Sequence, residues 1–315
     1  MKKFLLYLLL VVIGVAVLDI INRLAIEYAY SNLPEDSELK RTFRYTEDCD
    51  ADLLILGASR GVYDYNTVMM SDSLHVKCQS ISMEGMSVIS QYISVKKAIS
   101  GGKTKTIIYD LSSGQLSDDW VENQTSRYYP FYWKNNDVKT FVDEQQGTKM
   151  SYLMFSSFIQ NNSMLFDIIY TGYIRKSDDK NGYIPLPYTG KKFNYKSKED
   201  NADDTLYLNP TGERYLYKII NLCKSNGIRL ILCDSPRLNY KKQIFDDYLE
   251  KVADKYQIEF WNYSDFPPIV SDNRFFKDHV HINSPGADLF TRDLINRLKG
   301  LDDAGTRELE NVDRG

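Results

Sequence analysis

The sequence predicts an α/β fold, a three-layer sandwich in which helices cover both faces of a central parallel sheet. Short apolar runs alternate with amphipathic segments between residues 51 and 300, which is typical of a parallel sheet. Several runs are apolar at nearly every position, as expected of strands that are buried on both faces. The chain has 315 residues, of which 43% are hydrophobic, enough for such a domain and additional segments. Its net charge of -4 provides no basic field for nucleic acid, so no nucleic-acid partner is expected.

Residues 1–30 are predicted to be a membrane anchor. Lys2 and Lys3 precede an apolar run over residues 4–18, and apolar residues resume after Asp19. Positive charges before an apolar helix are typical of an anchor or of a cleaved signal peptide. The small residues at 14–16 keep cleavage open, but the apolar residues beyond them favour an uncleaved anchor. A buried core helix is the third interpretation; either export interpretation puts the rest of the chain outside the cytoplasm.

Five strands and four principal helices are predicted from the pattern. The strands are short apolar runs at residues 52–57, 76–83, 106–111, 228–233 and 258–263. The helices are amphipathic segments at residues 85–100, 210–226, 240–256 and 284–298. Thr211 is the predicted N-cap of the second helix, and Ser284 that of the last helix, which has Pro285 at its first position.

Three further segments flank or interrupt this domain of residues 51–300. Residues 31–50 are polar and are interpreted as a stalk, and residues 301–315 as a frayed tail. Residues 115–209 are too long for a loop. They contain ten of the 24 tyrosines together with Trp120 and Trp133, and a helical stretch is predicted over residues 138–170. This insertion is interpreted as an aromatic-rich lid, the alternative being an ordinary packed subdomain.

The four cysteines, Cys49, Cys78, Cys223 and Cys233, form no CxxC pair. The spacing therefore gives no support for a zinc or redox site, and neither a metal nor a cofactor is expected. Export would permit disulfides. The apolar, strand-like surroundings of Cys78 and Cys233 favour buried thiols instead.

The first chemical motif is Gly57-Ala58-Ser59-Arg60, directly after the first strand. In an open α/β sheet the ligand crevice lies at the carboxyl ends of the strands. A serine at this turn can present its hydroxyl to a substrate and its own N–H to an oxyanion. The alternative is that Ser59 simply caps a helix.

The second motif is Asp278-His279-Val280-His281, just before the last helix, and it contains two of the three histidines. One turn can bring the Asp278 carboxylate back to one imidazole nitrogen of His281, which leaves the other nitrogen as a base. His279 is adjacent to Asp278, and neighbouring side chains usually point apart. Two alternatives remain: a metal site on His279 and His281, which would need a third ligand, and a structural role.

Together the motifs resemble the SGNH (GDSL-like) hydrolase superfamily over roughly residues 50–300. The resemblance implies a flavodoxin-like sandwich with Ser59 as the nucleophile, Asp278 as the orienting acid and His281 as the general base. It also implies that Gly85 donates a backbone N–H to the oxyanion. The N-terminal anchor and the long insertion resemble membrane-bound bacterial members, some of which are associated with acyl transfer to cell-surface polysaccharides.

The sequence departs from the family pattern at two places, the second of which concerns the oxyanion. Ala58 stands where the family usually has aspartate, and residues 110–114 (DLSSG) replace the usual Gly-x-Asn-Asp. That asparagine normally donates to the oxyanion, and losing one such donor costs roughly 3–4 kcal/mol. Ser112, Ser113 or a lid residue is expected to substitute for it. Arg60 and Arg237, which also lie at carboxyl ends of strands, are further candidates for substrate contacts, and the alternative is that they are surface or loop-tethering arginines. Asn283 is a third candidate.

The sequence as a whole predicts a serine esterase or O-acyltransferase in the bacterial cytoplasmic membrane, with its catalytic domain outside the cytoplasm. The expected substrates are acyl esters, in particular acetyl esters, of cell-surface carbohydrate, which react through an acyl-serine. The expected partners are the acylated carbohydrate or an acyl donor, the membrane, and a membrane-bound acyl-transfer protein. The alternative is a binding or assembly protein that keeps the fold without catalysis.

Overall fold

The computed structural model describes residues 1–34, 49–117, 125–147, 149–161, 166, 168–188, 208–238 and 244–312. The chain forms two compact units. The first, here the N-terminal unit, comprises Met1–Phe43 and Glu122–Ser177; the second, here the α/β domain, comprises Arg44–Val121 and Asp178–Gly315.

The α/β domain is built on a five-stranded sheet in the order β2-β1-β3-β4-β5, in which every neighbouring pair is parallel. The strands are β1 Leu53–Leu56, β2 Cys78–Ser80, β3 Thr106–Asp110, β4 Arg229–Asp234 and β5 Glu259–Asn262. This is the strand order of flavodoxin-like folds. The predicted parallel sheet is therefore confirmed. The second strand is shorter than predicted because the chain turns after Ser80, whose hydroxyl accepts the N–H of Ser82 at 3.2 Å.

Both units contain helices. They are α1 Lys2–Ser31, α2 Ser59–Tyr63, α3 Thr67–Leu74, α4 Val88–Ser100, α5 Asn136–Gln146, α6 Lys149–Leu153, α7 Ser157–Asn161, α8 Pro210–Ser225, α9 Ile244–Tyr256, α10 Pro267–Val270 and α11 Ser284–Val312. Short 3-10 turns lie at Ser113–Leu116, Thr125–Phe131 and Asn273–Phe275, and a π-helix at Ile168–Ile174. Helix α11 continues through the segment that was predicted to be a tail.

Two predicted helix caps are wrong by one or two residues. Asn209, rather than Thr211, caps α8: its Oδ1 accepts the N–H groups of Thr211 and of the next residue at 2.8 and 3.1 Å. Asn283, rather than Ser284, caps α11 by accepting the N–H of Gly286 at 3.3 Å. In both cases the asparagine directly precedes the first helical residue, where a side-chain oxygen can reach the unpaired N–H groups of the first turn.

Helix α1 is long and apolar enough to cross a membrane, and it is the one such helix in the described part of the chain. Its most apolar stretch has a mean hydropathy of 2.9, and none of that stretch is buried. Thirty helical residues span about 45 Å, more than a hydrocarbon layer of about 30 Å. The predicted stalk falls largely on residues 35–48, which lie outside the described residues.

The insertion is divided between the two units. Residues 122–177 belong to the N-terminal unit, whereas residues 178–188 belong to the α/β domain; residues 189–207 lie outside the described residues. The predicted helical stretch is broken into α5, α6, α7 and the π-helix. Tyr128 and Tyr132 are buried in the unit, as in a packed subdomain, whereas Tyr152 and Tyr170 are exposed.

All four cysteines are buried and remain thiols, as the sequence predicts. Burial raises the pKa of the Cys78 thiol to about 11 and that of Cys223 to about 12. A thiol with a raised pKa is a poor nucleophile near neutral pH. These two buried thiols are therefore poor candidates for a nucleophile. The polar side chains at the carboxyl ends of the strands are better placed for that role.

Candidate active site

Ser59 lies at the start of α2, three residues after the end of β1. The turn before it requires glycine: a Cβ on Gly57 would lie 2.9 Å from the carbonyl oxygen of Asp110 on the neighbouring strand. This close approach brings the start of α2 directly over the end of β3. The Ser59 side chain is partly exposed, and its Oγ lies 2.7 Å from Nε2 of His281.

Asp278 orients the His281 ring from the other side. Its Oδ2 lies 2.8 Å from Nδ1 of His281, and its Oδ1 accepts the backbone N–H groups of Val280 and His281, each at 2.9 Å. Burial alone would raise the pKa of Asp278, but the hydrogen bonds from the His281 ring and the two N–H groups outweigh burial and lower that pKa to about 2. The ionised carboxylate favours a proton on Nδ1, which leaves Nε2 to accept from the Ser59 hydroxyl.

Tyr63 packs against the same imidazole and was not singled out in the sequence. Its ring meets that of His281 edge to face, with centroids 5.3 Å apart, and its hydroxyl donates to Oε1 of Glu84 at 2.6 Å. Tyr63 is four residues after Ser59 on α2, and residues four apart share a helix face. That spacing is the one signal in the sequence that points to it.

The predicted oxyanion donors lie on two turns of the α/β domain. Gly85 has a φ of 67° and follows Glu84, so its turn is tied through the Glu84 carboxylate to Tyr63. Ser112 follows the end of β3, and its Oγ accepts from Nε2 of Gln115 at 3.3 Å. Gly85 thus adopts a backbone conformation that residues with a side chain rarely adopt. The oxygen of the Ser112 hydroxyl is held by the hydrogen bond that it accepts from Gln115.

Arg60, one of the predicted substrate contacts, is buried inside the α/β domain. Its side chain is buried, with its terminal nitrogens 2.7 Å from Oδ1 of Asp110 and 2.6 Å from Oδ1 of Asp234. These carboxylates stand at the ends of β3 and β4. Desolvation alone would lower the pKa of Arg60, but the two carboxylates raise it above its ordinary value. Both terminal nitrogens of the guanidinium are thus paired inside the domain, as expected of an arginine that tethers loops. The substrate contact of Arg60 stays a prediction.

Arg237 and Asn283 also make internal contacts. Arg237 pairs with Oδ2 of Asp234 at 2.6 Å and lies 3.6 Å from Oδ1 of Asp246. Asn283 is buried; its amide donates to the carbonyl of Arg274 at 2.7 Å while its oxygen caps α11. Both side chains therefore hold loops in place, and their role in substrate binding stays a prediction.

Asp64, at the end of α2, is a further functional candidate that the sequence analysis missed. It is fully buried; its Oδ1 accepts the backbone N–H of Ile282 at 3.3 Å, and its Oδ2 hydrogen bonds with the Ser235 hydroxyl at 3.0 Å. Burial, with the nearby charge of Asp110, raises the pKa of Asp64 well above its ordinary value, although Arg60 opposes this. Ile282 directly follows His281, so Asp64 fixes the backbone that carries the base.

His279 lies apart from this arrangement. Its side chain is exposed, and its backbone carbonyl accepts the N–H of Leu238 at 3.3 Å. The described residues contain no group of three or more histidine, cysteine, aspartate or glutamate side chains that could hold a metal ion. The geometry thus joins Ser59, His281 and Asp278 in the nucleophile, base and acid arrangement of acyl-transfer enzymes.

Replacing Arg60 tests whether the buried ion pairs support the site. Arg60→Met should lower the free energy of unfolding by about 3–5 kcal/mol, because it leaves buried carboxylates without their cation. Arg60→Lys should recover only part of this loss of stability. A lysine restores the positive charge, but it cannot pair with two carboxylates in the geometry of a guanidinium. Urea unfolding of the full chain in detergent, followed by the fluorescence of buried Trp261, measures the change. Arg292→Met, at an exposed arginine of α11, is the matched control, and an equally small effect of both methionine variants would contradict the assignment.

The raised pKa of Asp64 predicts a specific pH dependence of stability. Between pH 3.8 and the raised value, the folded chain keeps a proton that the unfolded chain has lost, so stability falls as pH rises. Asp64→Asn mimics the protonated form and should remove this slope, because its oxygen can accept from Ile282 while its amide donates to Ser235. Unfolding of both proteins at several pH values above 4 measures it. The exposed Asp72→Asn variant should keep the wild-type slope, and a wild-type slope in Asp64→Asn would refute the prediction.

No family model and no curated protein sequence matches this chain. Solved structures similar to it include a protein described as an acylhydrolase from Bacteroides fragilis, with 11% identity, a TM-score of 0.39, and coverage of 84% of this chain and 98% of that chain. A GDSL-like lipase from Bacteroides thetaiotaomicron has 10% identity, a TM-score of 0.37, and coverage of 78% and 88%. The acetyl xylan esterase AlAXEase has 10% identity, a TM-score of 0.39, and coverage of 79% and 98%.

Proposed function

We propose that the chain is a serine ester hydrolase or O-acyltransferase that works through an acyl group on Ser59. One observation carries the proposal: Oγ of Ser59 lies 2.7 Å from Nε2 of His281, whose Nδ1 is held by Asp278 at 2.8 Å. A hydroxyl in contact with an oriented imidazole is the arrangement that makes serine a nucleophile near neutral pH. Sequence resemblance independently assigns the same roles to the same residues.

The reaction follows from this geometry in two halves. Ser59 attacks the acyl carbonyl carbon while its proton passes to Nε2 of His281; collapse of the tetrahedral intermediate breaks the ester bond, and Nε2 returns the proton to the leaving alkoxide. In the second half His281 takes a proton from water or from a sugar hydroxyl. That oxygen attacks the acyl-Ser59, and the Ser59 alkoxide leaves with the proton from His281. Hydrolysis and transfer therefore share every step except the identity of the acceptor.

Stabilisation of the oxyanion is assigned to the backbone N–H groups of Ser59 and Gly85, with the Ser112 hydroxyl in place of the family's asparagine. Ser59 and Ser112 follow adjacent strands, since Leu56 of β1 pairs with Tyr109 of β3. A donor aimed at the developing negative charge contributes about 3 kcal/mol to catalysis. The Ser112 hydroxyl after β3 therefore supports catalysis in a chain that lacks the asparagine of the family motif.

The substrate class proposed is acyl, in particular acetyl, esters of cell-surface carbohydrate. The aromatic composition of the insertion supports this, because sugar rings pack on tyrosine and tryptophan faces. The location proposed is the bacterial cytoplasmic membrane, with the α/β domain outside the cytoplasm. Lys2 and Lys3 before the apolar stretch of α1 support this orientation. An acyl donor or a membrane-bound acyl-transfer protein is the proposed partner.

The two histidines provide the test of the assigned base. His281→Ala should lower kcat/KM for 4-nitrophenyl acetate by about 10³-fold or more, as losses of a base acting with its nucleophile do. His279→Ala should cost far less, because its exposed side chain lies outside the hydrogen bonds that join Ser59, His281 and Asp278. The assay uses the full chain in detergent. Equal losses would indicate a shared role of the two histidines, and a larger loss for His279→Ala would overturn the assignment.

Labelling with a fluorophosphonate separates an enzyme from a protein that only keeps the fold. The wild type should be labelled at Ser59, and Ser59→Ala should not be labelled. Ser100→Ala, at an exposed serine of α4, should be labelled like the wild type. Absence of label from a folded wild type would favour the binding or assembly protein instead.

A further inference from the structure

We propose that the N-terminal unit lies in the headgroup layer of the membrane that α1 crosses, with the exposed apolar side chains of residues 152–174 in contact with lipid. This interfacial surface comprises α6, α7, the π-helix and the described residues between them. The inference rests on the proposed membrane anchoring by α1. It adds a second, independent contact with the bilayer.

The first observation is that α7 is attached to α1 at one defined point. The carboxylate of Asp19 accepts the hydroxyl of Ser156 at 2.7 Å and the N–H groups of Ser157 and Phe158 at 3.0 and 3.2 Å. The Ser157 hydroxyl donates to the carbonyl of Asp19 at 2.7 Å and accepts from Asn22 at 2.9 Å. The start of α7 is therefore fixed at the height of Asp19 along α1.

The height of Asp19 coincides with the expected edge of the hydrocarbon. Lys2 and Lys3 precede the apolar stretch of α1, and Asp19 is the first charged residue after them. The helix between Lys2 and Asp19 spans about 26 Å at 1.5 Å per residue, close to the hydrocarbon thickness of about 30 Å. If Lys2 lies at one interface, Asp19 and the start of α7 lie at the opposite one.

The second observation is that the N-terminal unit exposes large apolar side chains in the segment that begins beside Asp19. Each of the following is at least half exposed: Tyr152, Phe155, Phe158, Phe166, Tyr170 and Ile174. Large exposed apolar patches are uncommon on soluble proteins and mark sites that contact a membrane or a partner. Aromatic side chains are enriched where a membrane meets water, because one end of the side chain is apolar and the other tolerates water.

A third set of contacts keeps the rest of the surface next to α1 beyond Asp19. The Tyr173 hydroxyl donates to the carbonyl of Ala29 at 2.8 Å, and Ile168 is buried against Ile26. Arg23 donates to the carbonyl of Phe155 at 2.6 Å. Ala29 is about 15 Å beyond Asp19 along the helix, so the surface extends from the hydrocarbon edge outward through the headgroups. Because both ends of this surface are attached to the helix that is proposed to cross the membrane, we expect lipid of the interface, rather than a second protein, to cover it.

The experiment places a fluorescent probe on the surface and asks what surrounds it. Phe158→Cys in the full chain is labelled with the environment-sensitive dye NBD; the four native cysteines are buried, which restricts labelling to the new site. The protein is reconstituted in phosphatidylcholine vesicles at low density, with quencher attached to lipid headgroups, attached to acyl chains, or added as aqueous iodide. Val11→Cys, within α1, and Lys251→Cys, exposed on α9 of the α/β domain, are the comparison sites. Circular dichroism checks that each labelled protein is folded.

The probe at residue 158 should be quenched several-fold more by headgroup-attached quencher than by iodide, and the probe at residue 251 should show the reverse. The probe at residue 11 should be quenched most by the acyl-chain quencher. Quenching at residue 11 by lipid, with residue 158 open to iodide, would overturn the interfacial surface while anchoring stands. Lack of lipid quenching at residue 11 would overturn the anchoring, and the inference with it. Shielding of residue 158 from all three quenchers would mean that protein covers the surface, which also overturns the inference.

Discussion

The position of Ser59 depends on the buried guanidinium of Arg60. Arg60 follows Ser59 directly, and it bridges Asp110 and Asp234 at the carboxyl ends of β3 and β4. A charge in this position would be costly alone, but two carboxylates within 2.7 Å compensate for its desolvation. The first turn of α2 is thereby tied to two strands besides the one that leads into it. Asp110 also accepts the Tyr65 hydroxyl at 2.7 Å, so the far end of α2 is tied to the same carboxylate.

The same network reaches His281 through Asp64, which accepts the N–H of Ile282, the residue after His281. The pKa values of two aspartates of the α/β domain thus shift in opposite directions because their surroundings differ. Asp278 accepts the His281 ring and two backbone N–H groups, which lower its pKa to about 2. Asp64 lies deeper and near the charge of Asp110, which raises its pKa. The Asp278 carboxylate orients the His281 ring, and the Asp64 side chain holds the backbone next to that ring.

The sheet and the meeting of the two motifs were predictable from sequence, whereas the buried ion pairs were not. Strands buried on both faces appear as apolar runs, and parallel strands bring their carboxyl ends to one edge, so Ser59 and His281 were expected to meet. The burial of Arg60 depends on Asp110 and Asp234, which lie far along the chain and leave no local pattern. The helix caps were misplaced for a simpler reason: several residues near each helix start have capping side chains, and backbone geometry selects Asn209 and Asn283. Helix α2 was not predicted, because its five residues are too few to show the helical repeat of apolar positions.

The central claim is that an acyl group is carried on Ser59, and trapping that group tests it most directly. The full chain is mixed with 4-nitrophenyl acetate, denatured in acid within the first turnovers, digested and examined by mass spectrometry. The account predicts one acetyl group on the peptide that contains Ser59, and its accumulation in His281→Ala should fall together with turnover. Release of nitrophenol by the wild type with an acetyl group on a different side chain, or with none on Ser59 at any time, would contradict the account.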